Sequence, residues 1–261
     1  IVQLDTGRPL GAEALARWQH PTRGAIPPMT FIPVAEDAGM IGAIGTWVRT
    51  EALRQLGQWR ADGTVSDDFY CSINVSPRQL SDPGLPLVIS SELLQYGVPA
   101  RAVALEMTES VMVDGSSVTA RVLFELRELG VRLLVDDFGT GFSALGYLRK
   151  FPVTGVKIDR SFVSGLGQSV EDEEIVRAVV AMSYALGLSI VAEGVETRLQ
   201  RDALAAVGVT QGQGWLWGPA VPPGDFATHW HAGAGAQPVG MGRPPETGRR
   251  SGRSQLATGN S

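Results

Sequence analysis

Short apolar runs alternate along this chain with amphipathic helical segments. The runs of strand character span Ala12–Trp18, Phe69–Val75, Ala102–Thr108, Arg132–Asp137, Gly155–Asp159, Ser189–Val195 and roughly Val209–Gly214. Strands separated by helices predict an α/β fold with a parallel sheet. A chain of 261 residues fits closure of that sheet into a (β/α)8-type barrel, which typically takes about 250 residues.

Three helices are predicted from apolar residues spaced three or four positions apart. The first two are expected over Ser117–Leu129 and Asp172–Leu186. The apolar positions are Val118, Val122, Leu123, Leu126 and Leu129 in the first, Ile175, Val176, Val179, Met182 and Leu186 in the second, and Trp47, Val48, Leu53, Leu56 and Trp59 in the third. Glycines at 130, 187 and 208 follow helical stretches, where left-handed C-caps are expected.

The composition argues against several classes of protein. A net charge of −5 and a pI near 5.3 disfavour nucleic-acid coating, so no DNA partner is predicted. The single cysteine, Cys71, permits no internal disulfide and no cysteine zinc site, which favours a cytoplasmic location. Only three histidines are present, which disfavours a histidine-rich zinc hydrolase. The most apolar stretch, Ile175–Ala192, includes Arg177 and is interpreted as helix, turn and strand, so no membrane contact is predicted.

The two ends of the chain differ in character. Ile1–Leu4 already has strand character, so we expect a piece of a longer chain. Residues 231–261 are rich in Gly, Pro, Ser and Thr with few large apolar side chains, which predicts a disordered tail. We therefore predict a barrel domain at 1–230 and a solvated tail at 231–261.

Polar side chains stand within or at the ends of the predicted strands. They are Glu13, Asn74, Glu106, Asp136, Asp137, Lys157, Glu193 and Gln213. Packing alone does not account for them, because an unpaired buried charge costs several kcal/mol. The carboxyl ends of parallel barrel strands converge on one face, so we predict that these side chains share one pocket.

Five carboxylates in one pocket stay ionised only if cations lie between them. Oxygen ligands without His or Cys indicate Mg²⁺ or Mn²⁺. The number of ligands suits two ions about 3.5–4 Å apart, an arrangement used for in-line displacement at phosphorus. Asp136 is the simplest bridge between the ions. Lys157 would hold the attacking water or neutralise charge, and Glu193 would be a ligand or receive a proton.

The stretch Val135–Ser143 also has an ordinary interpretation as a turn. Asp and Gly are common in turns, and Gly139 follows the acidic pair closely. Because side chains alternate along a strand, Asp136 and Asp137 cannot both point inward in regular geometry. One is expected to face the barrel axis, and the other to lie where the chain turns into the loop.

Other candidates have structural alternatives as well. Lys157 would form an ion pair with Asp159. Asn74 would be a turn residue, and Glu193 would be a loop charge. The acidic run Glu171–Glu174 is interpreted as the first turn of a helix, where the macrodipole favours negative charge.

Taken together, the motifs resemble the EAL-domain family, the bacterial cyclic di-GMP phosphodiesterases, over about residues 1–226. They stand here as Glu13-Ala14-Leu15, Ile73-Asn74-Val75-Ser76, Glu106-Met107-Thr108-Glu109, Asp136–Ser143, Lys157-Ile158-Asp159, Glu193-Gly194-Val195-Glu196 and Gln213-Gly214-Trp215. The last motif carries Trp where Tyr or Phe is commoner in the family.

The resemblance implies a TIM-like (β/α)8 barrel with one antiparallel strand. Family members usually have a further strand and a substrate-binding glutamine before the position of Ile1, so a truncated N-terminal strand is expected. The implied activity is hydrolysis of cyclic di-GMP to linear pGpG with two Mg²⁺ or Mn²⁺ ions. The alternative is a non-catalytic cyclic di-GMP receptor that signals to a partner.

The site residues implied by the resemblance follow from the matching motifs. The implied metal ligands are Glu13, Asn74, Glu106, Asp136 and Asp137. Lys157 and Glu193 resemble the water-activating pair, which Gln213 supports. Leu15 and Arg17 resemble substrate contacts. Glu109 resembles the residue that steadies the loop Asp137–Ser143, through which family members couple as dimers. A homodimer and an upstream regulatory domain in the full-length chain are therefore expected.

Overall fold

The computed structural model of the protein describes residues 1–113, 116–139, 146 and 148–228, which form an eight-stranded barrel with helices around it. In chain order the strands are β1 (Val2–Gln3), β2 (Gly11–Ala14), β3 (Trp18–His20), β4 (Gly24–Ile26), β5 (Tyr70–Asn74), β6 (Val103–Thr108), β7 (Arg132–Phe138), β8 (Gly155–Ile158), β9 (Ser189–Ala192) and β10 (Gln211–Gly212).

The order around the sheet is β1-β10-β9-β8-β7-β6-β5-β2, while β3 and β4 form a separate hairpin. β1 is antiparallel to β10, and the other neighbours are parallel. The ends of the sheet meet where Leu10 N donates to Ile1 O at 2.9 Å and Ile1 N donates to Gly11 O at 2.7 Å. The predicted TIM-like barrel with one antiparallel strand is confirmed.

The helices cover the outside of the barrel. They are α1 (Pro28–Asp37), α2 (Ile41–Ala61), α3 (Pro77–Leu80), α4 (Leu85–Tyr96), α5 (Ser110–Val113), α6 (Ser117–Glu128), α7 (Arg160–Ser164), α8 (Val170–Ala185) and α9 (Arg198–Ala206), with single 3-10 turns at Ala100–Ala102 and Pro223–Asp225. The acidic residues Glu171, Asp172 and Glu173 lie in the first turn of α8, as predicted.

Alternation along the strands divides the apolar residues between two layers. On β6, Val103, Leu105 and Met107 belong to the large cluster that packs between the barrel and the helices. Ala104 faces the other way, into a small apolar cluster with Tyr70 and Leu134. Since side chains at every second position share a face, Glu106 lies on the same inner face as Ala104, above this small cluster.

The predicted apolar faces of the helices were too wide at their edges. Val122, Leu123 and Leu126 of α6 are buried, but Val118 is 37% exposed. Similarly, Trp47 of α2 is 61% exposed. Only the middle of a helical apolar stripe reaches the groove between two strands, so residues at its borders remain in contact with solvent. The left-handed C-caps are confirmed by φ values of 93° at residue 130, 68° at 187 and 96° at 208.

The predicted strand Ala12–Trp18 was also too long, because β2 ends at Ala14 and Trp18 begins the β3–β4 hairpin. Among the described residues, no helix is long and apolar enough to cross a membrane. The predicted tail at 231–261 lies outside the described residues, as do Thr140–Ser143 of the predicted dimer loop. The domain boundary near residue 230 therefore stays a prediction.

Candidate active site

Lys157 on β8 lies at the centre of a group of carboxylates inside the barrel and is 1% exposed. Its Nζ is 2.5 Å from Glu193 Oε1, 2.8 Å from Glu106 Oε2, 3.1 Å from Asp136 Oδ1 and 3.6 Å from Glu13 Oε2. These residues come from five different parts of the chain, so the predicted convergence of strand ends does occur. We call Lys157 and these four carboxylates the cage.

The alternative pairing of Lys157 with Asp159 is wrong. Asp159 follows the end of β8 and caps α7, where its Oδ1 accepts hydrogen bonds from the backbone N and the hydroxyl of Ser161. The Lys157 side chain instead points to the inner face of the barrel, toward the carboxylates. It neutralises charge in the cage rather than on the surface.

Two amide side chains hold Glu13 in place. Asn74 Nδ2 donates to Glu13 Oε1 at 3.0 Å, and Gln213 Nε2 donates to Glu13 Oε2 at 2.7 Å. Gln213 Nε2 also lies 3.2 Å from Glu193 Oε1. The interpretation of Asn74 as only a turn residue is therefore wrong. The helix that follows it is capped by Ser76, which accepts from Gln79 N.

A β-bulge in β7 explains how both adjacent aspartates reach one site. Val135 pairs with Val156 and Phe138 pairs with Ile158, so Asp136 and Asp137 together oppose the single residue Lys157. Asp137 has a φ of 52°, the only positive value outside glycine among the described residues. Oxygen atoms of Asp136, Asp137 and Glu193 all lie within 4.8 Å of one another. Asp136 faces the cage, and Asp137 is exposed at the turn into the loop, as expected.

Close backbone packing positions Glu193 and Gln213. Gly194 has a φ of 65°, and a Cβ there would lie 2.5 Å from the Cβ of Arg160. Gly214 has a φ of 153°, and a Cβ there would lie 2.3 Å from the backbone of Val195. Glycine is required at both positions. The sequence-based reasoning did not select Arg160, although its position three residues after Lys157 places it near the same end of the barrel.

The electrostatics of the cage follow from burial and from Lys157. Burial raises the pKa of Glu106 to about 8, against the opposing effect of Lys157, and nearby Glu13 and Asp136 raise it further. The pKa of Glu193 is raised to about 7, again first by burial. Burial also acts to raise the pKa of Glu13, but Lys157 and hydrogen bonds from Gln213 and Asn74 outweigh it, and that pKa is lowered.

The pKa values of Lys157 and Asp137 are both raised, but burial opposes the shift of Lys157 and contributes to the shift of Asp137. Burial acts to lower the pKa of Lys157, but the surrounding carboxylates outweigh it and hold the ammonium group protonated well above its ordinary range. The pKa of Asp137 is raised by burial and by the negative charges of Asp136 and Asp159. One lysine thus neutralises only part of the acidic cluster.

The oxygen atoms of the site fit a hard divalent cation. Glu106 Oε1 is buried without a hydrogen-bond partner among the described residues. Asp136 Oδ1 also lacks hydrogen-bond geometry, although it is 3.1 Å from Lys157 Nζ. Buried carboxylate oxygens without donors are costly unless a cation is bound. The adjacent group of Asp136, Asp137 and Glu193 offers the all-oxygen ligands that Mg²⁺ and Mn²⁺ prefer.

Three predicted residues lie around the cage rather than in it. Leu15 is 43% exposed, and Arg17 is exposed with one side-chain hydrogen bond, to Ala16 O at 3.0 Å. Glu109 is 8% exposed, and its Oε2 has no hydrogen-bond partner in the described part of the chain. Leu15 and Arg17 follow β2 directly, which puts them at the carboxyl-terminal face of the barrel. Their predicted roles in substrate binding and in steadying the loop stay predictions.

Residues 1–220 match the model of the EAL domain. The chain belongs to the EAL-domain family, whose solved structures include cyclic di-GMP phosphodiesterases. It is 40% identical over 221 residues to the bifunctional diguanylate cyclase/cyclic di-GMP phosphodiesterase MucR of Pseudomonas aeruginosa, covering 85% of this chain and 32% of MucR. It is 40% identical over 222 residues to the uncharacterized protein y4lL of Sinorhizobium fredii, covering 85% of this chain and 26% of that one. The chain thus spans about a quarter to a third of the length of these curated relatives.

Two solved structures have the same fold. The PaMucR phosphodiesterase in complex with cyclic di-GMP has a TM-score of 0.81 and 39% identity, covering 86% of this chain and 90% of that one. The EAL domain of Mycobacterium smegmatis DcpA has a TM-score of 0.76 and 37% identity, covering 89% of this chain and 95% of that one. Fold and family therefore agree with the cage geometry.

Proposed function

We propose that this chain hydrolyses cyclic di-GMP to linear pGpG in a reaction that depends on Mg²⁺ or Mn²⁺. The observation that carries the proposal is the cage, in which four carboxylates, each in or directly after a different strand, meet around one buried lysine. Membership of the EAL-domain family and the cyclic di-GMP bound to PaMucR support the choice of substrate.

The proposed metal ligands are Glu13, Asn74, Glu106, Asp136 and Asp137, which would hold two ions. When bound, the ions supply positive charge to the phosphodiester and lower the pKa of water. The exposed position of Asp137 at the bulge lets its carboxylate reach a cation together with Asp136.

The attacking water is oriented and deprotonated by three side chains in this proposal, those of Lys157, Glu193 and Gln213. The Lys157 ammonium group orients the water and stabilises negative charge that develops at phosphorus. Glu193, whose carboxylate lies 2.5 Å from Lys157 Nζ, accepts the proton of the water as the general base. Gln213 keeps the Glu193 carboxylate beside Glu13. The oxygen of the water forms a bond to phosphorus as the bond from phosphorus to the 3′ oxygen breaks. The 3′ oxygen takes up a proton and becomes a hydroxyl, and the linear product carries a 5′-phosphate.

Chromatography of cyclic di-GMP incubated with the purified protein tests the proposal. We expect pGpG to accumulate with Mg²⁺ or Mn²⁺ and not with EDTA. Binding of cyclic di-GMP without formation of pGpG, with either metal, would instead identify a non-catalytic receptor.

The amount by which metal binding stabilises the protein should also depend on pH, in a defined direction. The pKa values of Glu106 and Glu193 are raised from 4.5 to about 8 and about 7. Their protonated forms therefore stabilise the folded metal-free protein at low pH, and this stabilisation is lost as the pH rises through 7 and 8. Divalent ions favour the ionised forms, so the rise in Tm caused by Mg²⁺ should be larger at pH 8 than at pH 6.

We expect the difference to be at least about 2–4 °C, which corresponds to about 1 kcal/mol in a domain of this size. Thermal denaturation with MgCl₂ and with EDTA at both pH values measures it. Glu106→Gln is the control and should reduce the difference. An equal effect of Mg²⁺ at the two pH values would contradict protonation of Glu106 and Glu193 in the metal-free protein.

Three further features stay proposals. A homodimer coupled through Asp137–Ser143 is expected from the family resemblance, and most of that loop lies outside the described residues. A regulatory domain in the full-length chain and a cytoplasmic location are expected on the same grounds as before.

A further inference from the structure

Arg160 lies across the barrel from Arg17. Arg17 follows β2 and Arg160 follows β8, both at the carboxyl-terminal face. Around the eight-stranded sheet, β5, β6 and β7 separate β2 from β8 on one side, and β9, β10 and β1 separate them on the other. The two arginines therefore stand on opposite sides of the barrel mouth, with the cage between them.

The aliphatic part of the Arg160 side chain packs beside the site, and the residue is exposed to solvent. Its Cβ and Cγ lie 2.5 Å and 3.7 Å from the position that a Cβ of Gly194 would occupy. Gly194 directly follows Glu193, whose carboxylate is 2.5 Å from Lys157 Nζ. Among the described residues, the guanidinium of Arg160 has no hydrogen-bond or ion-pair partner. It is thus a cation at the rim of the site that is available to a ligand.

A cyclic dinucleotide has two phosphodiesters on opposite sides of its ring. Only one of them can be at the metal-binding carboxylates during cleavage, so the charge of the other is met either by water or by a cation at the rim of the site. Arginine is well suited to this, because its planar guanidinium donates two parallel hydrogen bonds to phosphate oxygens. Resting on the proposed function, we propose that Arg160 binds the phosphodiester of cyclic di-GMP that is not cleaved.

Steady-state kinetics of Arg160→Ala test this assignment with two substrates. Cyclic di-GMP has two phosphodiesters, and bis(p-nitrophenyl) phosphate has one. For cyclic di-GMP we expect KM to rise about tenfold or more, as for the loss of a charge-assisted hydrogen bond, with kcat within about threefold of the wild type. For bis(p-nitrophenyl) phosphate we expect KM and kcat to be unchanged. Arg160→Lys should restore part of the affinity for cyclic di-GMP.

Arg101→Ala is the matched control. Arg101 is also exposed, but it precedes β6 and so lies at the opposite, amino-terminal face of the barrel. It should leave both substrates unaffected. A phosphate contact also contributes to the salt dependence of binding, so Arg160→Ala should weaken the dependence of the cyclic di-GMP KM on salt.

An unchanged KM for cyclic di-GMP in Arg160→Ala would overturn the assignment. So would a raised KM whose salt dependence equals that of the wild type, or an equal loss with both substrates. If the wild type binds cyclic di-GMP without producing pGpG, the proposed hydrolysis fails, and Kd replaces KM in the same comparison. The contact of Arg160 is then supported by a selective rise in Kd for cyclic di-GMP and refuted by an unchanged Kd.

Discussion

Replacing Asp136 with Asn should lower the kcat for cyclic di-GMP at least about a thousandfold, because several kcal/mol of charge stabilisation at the metal site is lost. Asp136 belongs to the cage, with its Oδ1 3.1 Å from Lys157 Nζ, and one of its oxygen atoms also lies within 4.8 Å of oxygen atoms of Asp137 and Glu193. Asp136 also stands at the bulge, next to Asp137. An amide in its place keeps the shape and removes the negative charge that a bridging ligand supplies.

The fold should survive this substitution. In the metal-free protein Asp136 repels Asp137 and Glu193, so Asp136→Asn should leave Tm unchanged or raise it slightly. Turnover with Mg²⁺ and Mn²⁺ and thermal denaturation in EDTA measure the two effects. Asp202→Asn, at an exposed position on α9 beside Arg201, is the control and should change neither. Turnover of Asp136→Asn within tenfold of the wild type would remove Asp136 from the bridging role.

Replacing Lys157 with Met should destabilise the metal-free protein by about 3–5 kcal/mol, the usual cost of removing one partner from a buried ion pair. The change leaves four carboxylates without the one cation that contacts them all among the described residues. In a domain of this size the loss corresponds to a decrease in Tm of about ten degrees. Urea denaturation in EDTA measures the change in the free energy of unfolding.

Partial rescue would identify charge as the cause. Glu13, whose pKa is lowered, is ionised in the metal-free protein, so Glu13→Gln removes one negative charge from the cage. The double variant with Lys157→Met should therefore be more stable than Lys157→Met alone. Mg²⁺ should also narrow the gap to the wild type, since it supplies positive charge to the same oxygens. Lys150→Met is the control, because Lys150 is exposed and its ammonium group lies 5.7 Å from the ring centroid of Phe151. Equal stability of Lys157→Met and the wild type would mean that the carboxylates need no cation to fold.

Several elements of the fold were predictable because their signals are local. The apolar residues around Glu106 and Lys157 indicated buried strands, and the glycines at 130, 187 and 208 marked helix ends. The edges of elements were less predictable. The sequence pattern predicts that Trp18 belongs to the strand that carries Glu13, but Trp18 begins a separate hairpin, because the chain leaves the barrel after Ala14.

The candidate site shows the same division at the level of single residues. Acidic and amide residues at the ends of the predicted strands are sufficient to indicate an oxygen-lined pocket. The local sequence is compatible both with an ion pair between Lys157 and Asp159 and with a place for Lys157 in the cage, so it does not choose between them. Alternation along a strand likewise predicts that only one of Asp136 and Asp137 faces the barrel axis, and this holds. The sequence pattern does not indicate the bulge opposite Lys157, which still leaves a carboxylate oxygen of Asp137 within 4.8 Å of oxygen atoms of Asp136 and Glu193.

Local pattern was enough to specify the α/β class, the parallel strands and the chemical types of the side chains at their ends, since strand and helix periodicity depends on near neighbours in the chain. Only the closed barrel decided that one lysine serves four carboxylates and that a bulge brings in Asp137. It also decided that Arg160 rests on Gly194 opposite Arg17. These features depend on strand register and ring closure, which join residues far apart in sequence and leave no mark on the local pattern.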